Sequence, residues 1–557
     1  MTLRNYLLAA LTLPFSASSS QLHDSDNQEH PSILNGPSKN IAIIGAGAAG
    51  SSAAYHLSQY AAAAGIATNI TVFERSSHVG GRSTTVAAWD DPAQPVELGA
   101  SIFVKVNHIL MDAVARFNLS VAVPDLGIND EDEDEDDEGD YVGIWNGRAF
   151  VFRGDDDALG WWDTAKLLWK YGLAPLRTRR LMKATVGDFL KLYEAPHFPW
   201  RSLTDKVMEL GLLRPVAMTG ERFLRENGIG ELWAGEVVQA STRVNYAQNL
   251  ALINGLITMV CMATDGAKSV PGGNWRIFSS FLSSTPQLTT RLNTSISSIT
   301  QHAANSSYTL APSNTTTGTL LPAESYDAVI LAAPYHQANI SVSPAPVQPP
   351  LDLPFVTLHV TLLSSPHRIA PSFFGQPASA GPVPRVVLTT LPPDVRPDGP
   401  GDRQFAGPAG FFSVSTLRRG WNPKAARREY LYKVFSPMAV DDAWLARLFG
   451  VPLGEGERVA EEDVSWVYRK VWQSYPYETP RVSFDDACLD CGEDGKEKAA
   501  AAGGLWYTGG MEGFISTMET SALMGRNVAR LMVDGWVQGK SGQVGEVVDA
   551  GEGEKEL

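Results

Sequence analysis

The sequence predicts an α/β fold in which a parallel-sheet domain is interrupted by a larger inserted region of mixed α+β character. Three observations predict it. An apolar run, Ile41-Ala42-Ile43-Ile44, meets Gly45-Ala46-Gly47-Ala48-Ala49-Gly50 with nothing between. A second apolar run, Asn69 to Phe73, ends in an acid, Glu74. Further strand-like apolar runs, Tyr326 to Pro334 and Leu505 to Gly510, stand far along the chain.

The run Ile41 to Ile44 suits a short strand buried on both faces. The small residues from Ser51 to Ala64 read as the helix that follows. Between them each glycine has a task. Gly45 allows the tight bend, Gly47 lets the backbone approach a pyrophosphate, and Gly50 lets helix and strand pack closely. The helix N-terminus offers unpaired N–H groups and the positive end of its dipole to the phosphates. Glu74 lies 24 residues beyond Gly50 and can accept hydrogen bonds from both hydroxyls of a ribose. A G-x-G-x-x-G by itself is weak evidence. Set within strand, turn, helix, strand and acid, it defines a Rossmann-like nucleotide site.

Val79-Gly80-Gly81-Arg82 follows shortly after the acid. Two glycines let the chain return to the pyrophosphate, and Arg82 offers a fixed cation. A domain that binds nicotinamide alone has no need of this second loop. The arrangement resembles the FAD-dependent amine-oxidase-like superfamily, and FAD is the cofactor it implies. The resemblance implies further contacts. Arg75 and Gly80 join the nucleotide set. Gly99, Ala100 and Ser101, within Val96 to Phe103, pass close to the flavin ring. Ile296, in the strand Leu292 to Ile299, contacts the adenine half through its backbone. Leu505 to Gly510 is strand then glycine turn, and a helix entered at Ser516-Thr517-Met518-Glu519 aims its N-terminus at the flavin's pyrimidine end. Gly510, Met518 and Glu519 belong to that last cofactor segment, whose dipole and amides stabilise negative charge on the reduced ring.

Composition sets the surroundings. A chain of 557 residues, 44% hydrophobic and 19% charged, can bury more than one core. A net charge of −16 argues against nucleic acid as a partner. Asp130 to Glu138 is nine acids in succession and reads as a solvated surface insertion without the oxygen-ligand pattern of a calcium loop. Arg4, the apolar run Tyr6 to Phe15 and the small residues Ser16 to Ser20 read as a secretory signal, too short to span a bilayer. Cys488-Leu489-Asp490-Cys491 cannot complete a tetrahedral zinc site, so no metal is expected, and the pair reads as a surface disulfide. Asn118, Asn293, Asn305, Asn314 and Asn339 are glycosylation sequons; Asn69 is a sixth, expected to be unmodified because it opens a core strand. From about Tyr141 the pattern changes to aromatic-rich helices, in which Trp161, Trp162, Trp169 and Tyr171 read as core aromatics, and Arg177, Arg179, Arg180 and Lys183 as a solvated helix face. The alternative is weak attachment to a membrane surface; no segment is long and apolar enough to cross one.

Three segments narrow the family: Arg243-Val244-Asn245-Tyr246 with the later turn Pro271-Gly272-Gly273-Asn274, Val96 to Phe103, and Trp472 to Tyr477. In this order they resemble prenylcysteine oxidase (prenylcysteine lyase-type) proteins. The resemblance implies oxidative cleavage of the thioether of farnesyl- or geranylgeranyl-cysteine, with oxygen as the second substrate, to free cysteine, a prenyl aldehyde and hydrogen peroxide. It needs no acid–base residue for hydride loss, and none is named. Arg243 is a candidate for the substrate carboxylate, or else a structural arginine, and Tyr246 is a candidate for the substrate site. An amine or amino-acid oxidase is the alternative activity. The expected division is signal 1–20, leader 21–39, nucleotide-domain pieces 40–120, 288–340 and 501–535, substrate-domain pieces 121–287 (with the acidic insertion 130–140) and 341–500, and a disordered acidic tail 536–557. The expected setting is the secretory pathway, vacuolar, lysosomal or secreted.

Overall fold

The computed structural model describes residues 38–122, 142–154, 167–302, 304, 307–346, 348–397, 405–490 and 503–549. The signal segment and nearly all of the leader, the acid run, Trp161, Trp162, Asn305 and Cys491 lie outside the described residues.

Five strands form an all-parallel sheet in the spatial order Gly504–Tyr507, Ala328–Leu331, Lys39–Ile44, Thr68–Phe73, Leu288–Arg291. A parallel strand covered on both faces must be apolar at every position, and Ile41, Ala42 and Ile43 have no exposed surface. Ile41 and Ile43 pack with the helices Ala48–Ala63 and Met518–Asp549. Ala42 and Ile44 turn the other way, onto a four-stranded sheet that includes Thr294–His302 and Ser307–Asn314. The two helices are in very close contact. A Cβ on Gly525 would lie 2.2 Å from the Ala49 carbonyl oxygen, and Ser52 Oγ donates to Ala522 O (2.6 Å). The last helix continues past Trp536 to Asp549, where the sequence suggested a disordered tail; the stretch contains no proline to stop it.

A seven-stranded sheet forms the second layer, in the order Trp466–Pro476, Phe355–Ser365, Arg427–Ser436, Ser413–Asn422, Val386–Thr389, Val142–Trp145, Phe150–Gly154. Its last two strands stand at the start of the segment from about Tyr141, where the aromatic-rich pattern suggests helices. They pair as an antiparallel hairpin around Asn146-Gly147, with Gly147 at φ +88°. That is the Asn-Gly hairpin signal, flanked by β-branched and aromatic residues. Period-two alternation divides the sheet's faces. Tyr432, Val434 and Leu363 pack on the helix Asp442–Phe449 through Leu445, Leu448 and Phe449, while Lys433, Phe435, Leu358 and Val360 face inward to a cavity.

The helices between residues 174 and 283 fill the remaining side. They share one continuous core with the parallel sheet, in which Phe189, Leu256, Ile257 and Phe278 join Ile43 and Val72. The aromatic-rich segment divides. Tyr171 is buried with its ring 5.0 Å from that of Trp233, whereas Trp169, expected in the core, is 93% exposed. Cys261 is a free, buried thiol, and Cys488 is disulfide-bonded. Asn69, expected to be covered, is exposed at the strand's edge and donates to Asn40 Oδ1.

Candidate active site

One cavity of about 1890 Å³ runs from the two glycine loops to the inner face of the seven-stranded sheet. Its nucleotide end is shaped by what is missing from the glycines. Gly45 sits at φ +109°, and a Cβ there would lie 2.6 Å from the Ala332 carbonyl oxygen. A Cβ on Gly50 would lie 1.9 Å from Gly45 O, so this glycine seats the helix on the turn. Gly47 is different: its nearest neighbour would be the Gly81 Cα at 3.9 Å, leaving open space between the two loops. Gly80 (φ +118°) and Gly81 (φ +59°) bend the second loop back, and Gly80 N–H donates to Ala46 O (2.9 Å). Gly47 gives the helix no side-chain cap, so its first-turn amides, with Ala48 and Ala49 in the cavity wall, are left for a ligand. This side-chain-free cradle fits the pyrophosphate of FAD.

Glu74 ends its strand buried, in the same wall as Arg75 and Ile296. Its carboxylate already accepts from Ala46 N–H (2.9 Å), Ser76 N–H (2.8 Å) and Ser76 Oγ (2.5 Å). The acid therefore pins the glycine turn as well as facing the ribose position.

Four of the expected residues are engaged by the protein itself. Arg82 stands in the cavity wall, where Nη2 pairs with Glu512 Oε1 (2.8 Å) and Nη1 donates to Ser474 O (2.5 Å). It fastens the second loop to the distal part of the chain. Gly510 is not in the cavity wall; a Cβ there would meet Asp485 O at 2.7 Å, so it is a packing glycine. The Glu519 carboxylate accepts from Ile109 N–H (2.9 Å) and Leu110 N–H (3.0 Å). It thus caps the helix His108–Arg116, and burial pushes its carboxyl up to about 7. The first turn of the last helix lines the cavity at Met518, Glu519, Thr520 and Ser521. Arg243, finally, is outside the wall and has no exposed surface. Its guanidinium donates to Thr389 Oγ1, Asn249 Oδ1 (2.8 Å), Phe405 O (3.1 Å) and Ala406 O (2.8 Å) and lies 5.3 Å from the Phe412 ring centroid. It is an internal strut, the structural reading of the two.

The remaining expected residues surround the middle of the cavity. A Cβ on Gly99 would lie 2.8 Å from Arg82 O, Ala100 O accepts from Asn274 Nδ2 (2.7 Å), and Ser101 Oγ accepts from Lys433 Nζ (2.9 Å). Two of the family-bearing segments are thereby clasped together. Glu97 Oε1 accepts from Thr84 N–H (2.9 Å) and Oε2 from Asn274 N–H (3.3 Å). Lys433 Nζ also donates to Glu97 O (2.8 Å). Burial pushes the Glu97 carboxyl up to about 7 and the Lys433 ammonium down to about 8, and their mutual attraction opposes both shifts. Sequence reasoning missed Lys433. Its signal was one cation inside the alternating run Tyr430-Leu431-Tyr432-Lys433-Val434-Phe435.

The far arm mixes apolar and aromatic residues with the cations Arg418, Lys433 and Lys470. Tyr246 is buried in its wall, donating its hydroxyl to Ser516 O (3.1 Å), with its ring 5.1 Å from Tyr475. Leu358, Val360, Phe435 and Trp472 line the same arm. Burial raises the Cys261 thiol beside them, which keeps it protonated.

A two-loop dinucleotide cradle that opens directly onto an apolar chamber defines a flavin-dependent oxidoreductase. Within that class the chain belongs to the prenylcysteine lyase family, whose model matches residues 155–546. The model of an NAD(P)-binding Rossmann-like domain matches residues 43–117. The chain is 30% identical over 512 residues to the farnesylcysteine lyase of Arabidopsis thaliana, covering 88% of each. It is 27% identical to prenylcysteine oxidase 1 of Bos taurus, covering 90% of this chain and 89% of that protein. Among solved structures, a putrescine oxidase variant with redesigned cofactor binding superposes with a TM-score of 0.50 at 13% identity, covering 88% of this chain and 98% of that one; this likeness shows the fold.

Proposed function

We propose that this protein is an FAD-dependent thioether oxidase that cleaves prenylcysteines to free cysteine, a prenyl aldehyde and hydrogen peroxide, with oxygen as the final electron acceptor. The observation that carries the reading is the continuity of one cavity from the glycine cradle to the arm walled by Tyr246, Leu358, Val360, Phe435, Trp472 and Tyr475. An isoprenoid chain is apolar along its length and would be removed from water there, at roughly 25 cal/mol per Å² buried. Bound FAD supplies the acceptor for the hydride lost from the carbon next to sulfur. The chain's own residues orient and enclose. The aromatic arm excludes water, and the small residues Gly99 and Ala100 let backbone approach the reacting region. Lys433 holds Ser101 through its Nζ hydrogen bond to Oγ. With Arg243 sealed away, Lys470, half-buried in the wall and 4.9 Å from the Trp472 ring centroid, is the cation suited to the cysteine carboxylate.

We place this activity in the secretory pathway, in a vacuolar, lysosomal or extracellular setting. The disulfide at Cys488 and the exposed sequon residues Asn118 and Asn339 support that setting. The test is direct. Purified protein should be yellow, bleach anaerobically with farnesylcysteine, and in air yield peroxide and cysteine in equal amounts. Flavin-loaded protein that oxidises amines yet leaves every prenylcysteine intact would instead assign it to amine chemistry.

A further inference from the structure

We propose that the stretch from Leu168 to Arg180 is a docking face for an anionic lipid surface. Four large apolar side chains within nine residues are turned to solvent: Leu168 (42% exposed), Trp169 (93%), Leu173 (56%) and Leu176 (52%). Leu232 (47%) adds a fifth, brought alongside because Arg177 Nη1 donates to Gly228 O (2.7 Å) and Tyr171 packs on Trp233. Other exposed apolar residues, such as Leu320, Leu351 and Met438, are scattered along the chain, as on any soluble surface.

Charge identifies the occupant. From Leu167 to Gly187 the sequence has five basic residues (Lys170, Arg177, Arg179, Arg180, Lys183) and no acid, in a chain whose net charge is −16; Arg179, expected on a solvated face, is buried and takes no part in the patch. Arg177 and Arg180 are exposed on the helix Ala174–Leu190. Lys170 neutralises Glu236 (2.7 Å), and Glu231 is the acid at the edge of the patch. An exposed tryptophan and leucines beside unopposed arginines fit the interfacial layer of a membrane with negatively charged headgroups. A second copy meeting this face with its own would set the same arginines against each other and bring no such complement. Among the described residues no helix is long and apolar enough to cross a membrane, so attachment would be to the surface.

The same helix relates this face to the cavity. Leu176 is on the exposed side, while Val186, Phe189 and Leu190, near the helix's other end, stand in the cavity wall. Thirteen residues separate Leu176 from Phe189, about 20 Å of helix. Docking would hold the chamber within about that distance of the lipid. This consequence rests on the substrate reading; the docking itself does not.

The experiment is co-sedimentation of the flavin-loaded full-length protein with phosphatidylcholine vesicles, with and without phosphatidylserine. Wild type should sediment with the phosphatidylserine vesicles, and raised salt should release it. Trp169→Ser/Leu173→Ser/Leu176→Ser should weaken binding at least about tenfold, and Arg180→Glu by about tenfold, with flavin absorbance and melting temperature unchanged. If the triple variant folds poorly, Trp169→Ser alone and the salt dependence of the wild type decide. Absence of wild-type binding to phosphatidylserine vesicles, or equal binding by the variants, overturns the proposal. So does a concentration-dependent dimer that Trp169→Ser dissolves without any vesicle binding, because the face would then join two copies.

Discussion

At the nucleotide end of the cavity the wall is backbone: Gly45, Gly47, Gly80 and Gly81, and the uncapped first turn of a helix. At the other end it is side chains, contributed by strands that begin at Phe355, Arg427 and Trp466 and by a helix that ends at Tyr246. A wall of backbone can be made only where the chain bends sharply and side chains are absent, so its requirements fall on a few adjacent residues. A wall of side chains needs only residues of suitable size facing inward, and any of several apolar types will serve. The first kind of site tolerates little substitution at each position; the second spreads its tolerance over many positions.

The largest test of that contrast is Gly50→Val. The added atoms have nowhere to go with Gly45 O 1.9 Å from the Cβ position. The expected result is a loss of more than about 3 kcal/mol of stability together with loss of bound flavin, read from the melting curve and the visible spectrum. A yellow variant with an unchanged melting temperature would mean that the turn does not have this shape.

Arg243→Ala comes next and separates fold from site. It removes donors to three backbone carbonyls and two side-chain oxygens and leaves a cavity, so a cost of about 3–5 kcal/mol is expected. Because Arg243 is outside the cavity wall, the KM for prenylcysteine of the protein that still folds should stay within about twofold. A KM raised tenfold with stability intact would return Arg243 to the substrate.

Glu74→Ala is the mildest of the three. It removes three protein hydrogen bonds that position the glycine turn as well as the acceptor facing the ribose. FAD affinity should fall about ten- to a hundredfold, since each charge-assisted bond contributes roughly 1.5–3 kcal/mol and 1.4 kcal/mol is a factor of ten. Excess FAD should restore turnover. Titration of the apoprotein with FAD gives the answer, and an unchanged affinity would remove Glu74 from the nucleotide site.

The same contrast explains what could be read in advance. The strand at Ile41, the glycine turn, the strand to Glu74 and the second glycine loop are local requirements, and each is visible in adjacent residues. The hairpin around Asn146-Gly147 is equally local, set by two adjacent residues between Val142–Trp145 and Phe150–Gly154. Arg82, Glu519 and Arg243 could not be assigned from the sequence, because a charged residue near a motif is equally suited to a ligand or to a protein partner. Their partners, Glu512, the amides of Ile109 and Leu110, and the carbonyls of Phe405 and Ala406, are remote in the chain. Lys433 was hidden for the same reason: its role depends on Glu97 and Ser101, more than 300 residues away.

The contact between Ser52 and Ala522 spans 470 residues, and it has a consequence for how the protein is made. The helix Ala48–Ala63 emerges from the ribosome with Ala53, Ala54 and Leu57 needing cover, yet the helix that covers it is synthesised far later. The outer strand of the parallel sheet, Gly504–Tyr507, arrives equally late. Until both have emerged the nucleotide half is an unfinished layer with an apolar face uncovered, and its cradle cannot yet capture FAD.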